Sequence, residues 1–275
     1  MQRRFAYFLL CCVTVLAAFS IPLVRLLKLS LQYGYSSHIV FVPLISIYLI
    51  WSGRKNIFSS AEYAVSRGVQ VIIIGLLAAF GALLIPSDAT DFLIVLSTLL
   101  LIVGGFIGFF GATSARRAFF PLGILILMLP VPGIILEKMI GFLQSQSAEL
   151  TYWMFTALHV PVLRDGFVLS LPGVTIEVAR ECSGINSSVA LLILMILFAH
   201  ETLRSNWRRL ILVLLVVPFS IVKNAIRIVT LTMLSIKVDP GFLTGRLHHE
   251  GGFVFFLIAL GLMFPLWKIL QKGEN

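Results

Sequence analysis

Along most of this chain the apolar residues neither alternate nor return with a helical period; they run on. Such runs cover Phe5–Val24, Ile39–Trp51, Val69–Pro86, Phe92–Gly111, Ala118–Pro132, Ser183–His200, Leu210–Ile226 and Gly251–Leu266. A helix needs about 20 apolar residues to cross the hydrocarbon core of a bilayer, and several runs approach that length. The pattern predicts an all-α integral membrane protein with about eight transmembrane helices, the second and fifth of them short.

The interval from Gly133 to Cys182 reads differently. Ile134, Ile135, Leu136, Ile140, Phe142, Leu143, Leu150, Trp153, Met154 and Leu158 recur at helical spacing, with Glu137, Lys138, Gln144, Gln146 and Glu149 between them. This predicts an amphipathic helix that lies in the outer interface or crosses obliquely. Val160–Val178 then alternates like strand, broken at Asp165-Gly166 and Pro172-Gly173, which predicts a small β-hairpin leading straight into Cys182.

Charge settles the orientation. Only 12% of the residues are charged and 59% are apolar, about half the charged fraction of a soluble domain. The net charge of +9 does not point to nucleic acid, because no Lys/Arg run with interleaved aromatics exists outside the apolar segments. With the N-terminus inside, twelve of the 21 cations face the cytoplasm, in tight groups such as Arg54-Lys55 and Arg116-Arg117. The other nine scatter over the outer interval and helix ends. The positive-inside rule then gives an N-in, C-in chain. The first run follows Arg3 and Arg4 and continues to Arg25 without a small-x-small cleavage site, so it reads as an uncleaved anchor.

Chemistry concentrates at one end of this arrangement. Three cysteines are too few for a disulfide framework, and Cys11 and Cys12 sit inside the first run as small hydrophobes. Cys182 stands alone among polar neighbours, two residues after Arg180, where a helix starting at Ser183 or Gly184 brings unpaired N–H groups and the positive end of its dipole. Such a position favours the reactive thiolate; the other reading is a small thiol half-buried near the membrane surface. Lys223 and Arg227 are four apart and share a face at the outer end of the seventh helix, expected to be reached near Ile228. Cations in apolar helices turn toward the bundle interior or an aqueous cavity. Snorkelling to lipid phosphates suits Lys223, whereas Arg227, followed by more apolar residues, is expected to face inward. His248 and His249 precede the last helix, and His38 and His159 also fall outside; His200 falls on the cytoplasmic side. A thiol, a histidine that moves its proton and an arginine that holds an oxyanion suffice for acyl transfer from a peptide. The consecutive His248-His249-Glu250 does not have zinc-site spacing, and no metal or other cofactor is expected.

The same stretches resemble the exosortase/archaeosortase family of membrane transpeptidases. The matching pieces are Ser37–Ile45, Pro121-Leu122-Gly123 with Met128–Pro132, Val160–Gly166, Glu181-Cys182-Ser183-Gly184-Ile185, Asn224-Ala225-Ile226-Arg227-Ile228 and His248–Gly252, in that order. The resemblance implies a single transmembrane domain over 1–275 with Cys182 as nucleophile and Arg227 and His248 as its catalytic partners. The family's glycine four residues after the histidine selects His248, through Gly252, over His249. It further implies a site at the periplasmic face of the bacterial inner membrane. The substrates implied are exported proteins with a C-terminal sorting signal of the PEP-CTERM kind: a short motif, a hydrophobic helix and a basic tail. The cut C-terminus passes to an acceptor that the resemblance leaves unnamed; in Gram-negative members this accompanies exopolysaccharide production. Two other classes compete. One is a carrier for an anionic solute, although the two halves show no convincing repeat; the other is a non-catalytic scaffold for polysaccharide export.

Overall fold

The computed structural model describes residues 1–32, 38–85, 89–180, 184–243 and 252–273, the side chains of 29–32, 38 and 243 excepted. The chain forms two compact units, Met1–Ile135 and Leu136–Asn275.

The first unit contains α1 (Gln2–Ala18), α2 (Ser20–Gln32), α3 (His38–Ser52), the one-turn α4 (Arg54–Ile57), α5 (Val65–Leu84), α6 (Ala89–Arg117) and α7 (Phe119–Gly123), which runs on as a 3-10 turn over Ile124–Met128. Its tightest contact joins α5 to α6. A β-carbon on Gly68 would lie 2.7 Å from Gly104 O and from the backbone of Gly108. Small residues at this spacing let helix backbones touch where a bilayer offers no hydrophobic drive. Gly111 (φ +89) interrupts α6, and Glu62 N and Ala64 N donate to Phe110 O (3.2 Å) and Gly108 O (3.1 Å) beside the break. Phe5, Phe8, Phe58, Phe106 and Phe110 stack with centroids 4.8–5.9 Å apart, closing α1 onto α6. A second feature is an apolar cavity of about 600 Å³ lined by α1, α2, α3, α6 and the 3-10 turn.

The second unit contains most of α8 (Gly133–Ala157), the strands β1 (Leu163–Asp165), β2 (Val168–Leu171) and β3 (Val174–Glu177), then α9 (Ile185–Thr202), α10 (Asn206–Leu214), α11 (Val216–Lys237), a 3-10 turn at Pro240–Leu243 and α12 (Gly252–Lys272). The expected hairpin is a three-stranded antiparallel meander, β1-β2-β3. Its two turns are the two that the glycines mark: Gly166 (φ +58) and Pro172-Gly173 (φ +85 at Gly173), a proline followed by a left-handed glycine as a type II turn requires. Leu169, Leu171, Ile176 and Val178 pack on Ala148 and Phe155 of α8 and Val229 of α11. Leu191, Met195 and Ala199 of α9 meet Leu212 of α10, Val216 of α11, and Ala259 and Met263 of α12.

Among the described residues five helices are long and apolar enough to cross a membrane, or seven if each bent pair counts as one span. The eight expected runs are all found among these: five as the long helices, two as the bent pairs and one as a shorter helix. The second expected crossing is the shorter apolar helix Ile39–Ser52, and the first and fifth belong to the bent pairs. Proline sets these interruptions. Helices α1, α6 and α10 end at Ala18, Arg117 and Leu214, each four residues before a proline (Pro22, Pro121, Pro218). That is where a proline ring clashes and where its missing N–H leaves a carbonyl without its helical donor. The helices Gln2–Ala18 and Ser20–Lys28 are bent by 70° across Phe19. At the fifth run, Pro130 and Pro132 drive their predecessors out of helix, and Leu129 is extended (ψ 123).

Candidate active site

The chain reaches the candidate nucleophile through a well-held approach. Val178 is 1% exposed; its N–H donates to Phe167 O (2.9 Å), and its carbonyl accepts from Gln144 Nε2 of α8 (2.8 Å). Arg180 then forms an ion pair with Glu137, also on α8. Cys182 follows two residues later and lies outside the described residues, as do His248 and His249. The elements that flank Cys182 and His248 are described instead.

The far side of this short gap is equally fixed. Gly184 is buried and caps α9 in the left-handed region (φ +75). A β-carbon there would sit 3.3 Å from Asn224 Oδ1 and 3.5 Å from Lys223 Nζ. Glycine thus answers two demands: a backbone angle that side chains resist and room for α11 against the start of α9. Ser187 and Ser188 turn their hydroxyls back onto Gly184 O (3.0 and 2.8 Å), beside the helical bond from Ser188 N (2.9 Å). Lys223 reaches across from α11 and donates to Ser187 Oγ.

One expectation about α11 is corrected here. The helix continues past Ile228 to Lys237, and Lys223 and Arg227 lie in its middle. Lys223 does not snorkel, since only 2% of it is exposed and Asn224 beside it is 1% exposed. The packing of α9 against α11 encloses it, with Ser187 as its hydrogen-bond partner. Arg227 lies one turn beyond Asn224 and is half-buried.

The third candidate is tied to the same bundle through α12. Trp267 Nε1, near the end of α12, donates to Thr202 Oγ1, the last residue of α9 (3.0 Å). Ala259 packs with Leu191 and Met195. The two helices therefore run parallel with their C-terminal ends together. Their starts, Ile185 and Gly252, are 17 and 15 residues from that contact. His248 precedes Gly252 by four residues, as Cys182 precedes Gly184 by two.

His38 begins α3, its side chain outside the described residues; His159 and His200 stand at helix ends. His159 is exposed with φ +56, ending α8 in the left-handed turn where glycine or asparagine is usual. His200 lies in the last turn of α9 and lends its carbonyl to Arg209, whose Nε also binds Leu203 O (2.8 Å). Arg208 binds Leu270 O (3.0 Å) and Gly273 O at the end of α12. This basic group, read in the sequence as a topology signal, also places cations on the negative ends of two helices.

Sequence reasoning missed Ser187, Gly184 as a contact point, and the burial of Lys223. The glycine followed by two serines was a readable sign of a crowded helix start, but its partner on α11 lies 36 residues away. Cavity size does not find this place either. The cavity of about 600 Å³ in the first unit is walled by side chains such as Phe8, Leu16, Val95 and Phe106, with the Cys12 thiol as the one titratable group in its lining.

No curated protein and no solved structure matches the chain. The family model described as "Transmembrane exosortase (Exosortase_EpsH)" matches residues 30–265, which include α3 to α11, the meander and the greater part of α12. Exosortases are multi-pass membrane proteins of a cysteine-protease-like transpeptidase family that sorts PEP-CTERM proteins. With that match over most of its length, the chain belongs to the transmembrane exosortase family.

Proposed function

We propose that this exosortase cuts the C-terminal sorting signal of exported proteins with Cys182 as nucleophile, and that Arg227 and His248 complete the site at the periplasmic face of the inner membrane. The observation that carries the reading is the contact of Gly184 with Asn224. It fixes a point two residues from Cys182 against a point one helical turn from Arg227. Two residues of chain span at most about 7 Å, within reach of a guanidinium on the same face of α11. The parallel course of α9 and α12 brings Gly252, four residues after His248, to the same end of the bundle as Ile185, which supports His248 as the third member.

In this mechanism the Cys182 thiolate attacks the scissile carbonyl beside the substrate's membrane helix. The oxyanion forms where Arg227 can donate to it. Collapse expels the amine of the downstream peptide, which takes a proton from the His248 imidazolium and leaves an acyl thioester on Cys182. His248, now neutral, removes a proton from the incoming acceptor nucleophile, which displaces the thiolate and carries off the new C-terminus. Substrate helix and basic tail follow the same charge rule that orients the enzyme.

The test is processing of a co-expressed substrate bearing a sorting signal. Cys182→Ala and Arg227→Ala should leave the enzyme inserted at normal levels while uncut substrate accumulates, a loss of at least about a thousandfold for the cysteine. His248→Ala should behave likewise, and His249→Ala should not. Undiminished processing by the Cys182→Ala protein would remove the proposed nucleophile.

A further inference from the structure

Beside the close contact of α5 with α6 the first unit holds a second cavity, of about 610 Å³, within the size range of small-molecule sites. Its walls come from α5, α6 and the stretch 119–129. Along α6 the lining is apolar from Leu96 through Leu100 and Val103 to Ile107. That stretch is about 16 Å of helix, close to half of a hydrocarbon core about 30 Å thick. The groove is thus as deep as one leaflet. Its other end is basic, with Arg67 of α5 and Arg116 of α6 both in the lining. Gly68, next to Arg67, is locked against the backbone of Gly108, so Arg67 stands toward the end of α6 that carries Arg116.

The protein satisfies three other arginines of this region. Arg4 donates to Ala61 O (2.6 Å) and lies over the Tyr63 ring. Arg54 donates to Trp51 O (2.9 Å) and covers the Trp51 ring. Arg117 donates to Asn56 O (2.9 Å) and to Ser59 Oγ. The side chains of Arg67 and Arg116 are exposed and make no hydrogen bond or ion pair among the described residues. Acids that could answer them are scarce. The first unit has Glu62, Asp88 and Asp91 in its sequence. Asp91 pairs with Arg25 near the far end of α6, Asp88 lies outside the described residues, and Glu62 is not in the lining.

We propose that this groove binds one anionic phospholipid, its phosphate held by Arg67 and Arg116 and an acyl chain laid along α6 from Ile107 toward Leu96. Guanidinium forks match phosphate oxygens, and basic pockets between membrane helices on the cytoplasmic side take anionic headgroups. The charge pattern of the sequence assigns that side to Arg67 and Arg116. A substrate's sorting helix fits this groove poorly, because its basic tail would meet two cations. The larger opening beside α1, α2 and α3 has no charged side chain in its lining and so nothing to select a headgroup. Gly123 leaves the wall of the basic groove open. Its angles are ordinary for a helix (φ −66, ψ −34), and a β-carbon there would meet no atom within 4 Å. The proposal is independent of which residues cut the substrate.

The test is native mass spectrometry of the purified full-length protein in detergent, titrated with phosphatidylglycerol or with phosphatidylcholine of the same acyl chains. One phosphatidylglycerol should be retained by the wild type at concentrations where phosphatidylcholine is not. Arg67→Gln together with Arg116→Gln should weaken that binding about 30-fold. Arg3→Gln with Lys55→Gln removes the same charge from exposed positions outside the groove and should change it less than about twofold. Gly123→Phe fills the groove and should weaken retention about tenfold with both arginines present; Gly123→Leu replaces it if that variant does not accumulate. Equal retention of the two lipids overturns the proposal, as does an equal loss in the two charge variants, which would mean unspecific attraction. A mass of two protein chains in place of protein plus lipid would assign the groove to a second copy and overturn it as well.

Discussion

Two helix contacts in this molecule solve the same problem in opposite ways. Where α5 meets α6, side chains are removed: Gly68, Gly104 and Gly108 let backbone lie on backbone. Where α9 meets α11, a glycine again opens the gap, but Ser187, Lys223 and Asn224 fill it. The first contact consists of packing alone and is what a bilayer protein needs to hold together. The second places a buried cation and an array of donors where apolar residues would pack at lower cost. The difference separates a contact made of backbone against backbone from one made of buried polar side chains.

Substitutions can break this comparison at either end. The largest effect is expected from Gly68→Leu, because its first side-chain atom already meets backbone at 2.7 Å and no rotamer relieves it. The helices must part, at a cost above about 3 kcal/mol, and the protein should fail to survive size-exclusion chromatography after mild heating. A normal melting profile would show that the α5–α6 contact is not close. Gly184→Ala comes next. Its φ of +75 costs about 1–2 kcal/mol in a residue with a side chain, yet its new methyl meets only side-chain atoms. Melting should drop modestly while processing falls more than tenfold, because the start of α9 is pushed off Asn224. Equal losses in both contacts would erase the distinction drawn above. The smallest effect belongs to Arg180→Gln. The ion pair with Glu137 has both side chains about half exposed, and such pairs contribute about 0–1 kcal/mol. Melting should hardly move in thermal scans, and salt should mask the change.

The sequence announced the crossings because a continuous apolar run needs no partner to be recognised. It announced the interruptions as well, in prolines that hydropathy alone passes over. The run Phe5–Val24 was read straight through Phe19, where the helix bends by 70° ahead of Pro22, whereas Leu210–Ile226 lies within one span, Asn206–Lys237, despite Pro218. The meander was legible in the same incomplete way: two turn signals, at Gly166 and Gly173, imply three strands. Lys223 was of another kind. Its spacing to Arg227 showed a shared face, but depth depends on what covers that face, and the cover comes from Gly184 and Ser187 on a different helix. Local pattern gives direction around a helix axis; only tertiary packing gives distance from lipid.

The placement of helix ends four residues before prolines bears on how this protein meets membranes of unequal thickness. A helix bent by loose packing can tilt or straighten when its surroundings thicken by a few ångströms. A bend written into a pyrrolidine ring has no such freedom, since the missing hydrogen cannot be restored by any lipid. The angle at Phe19 should therefore persist from thin detergent micelles to sterol-rich bilayers, and accommodation to mismatch must come from the unbroken helices instead.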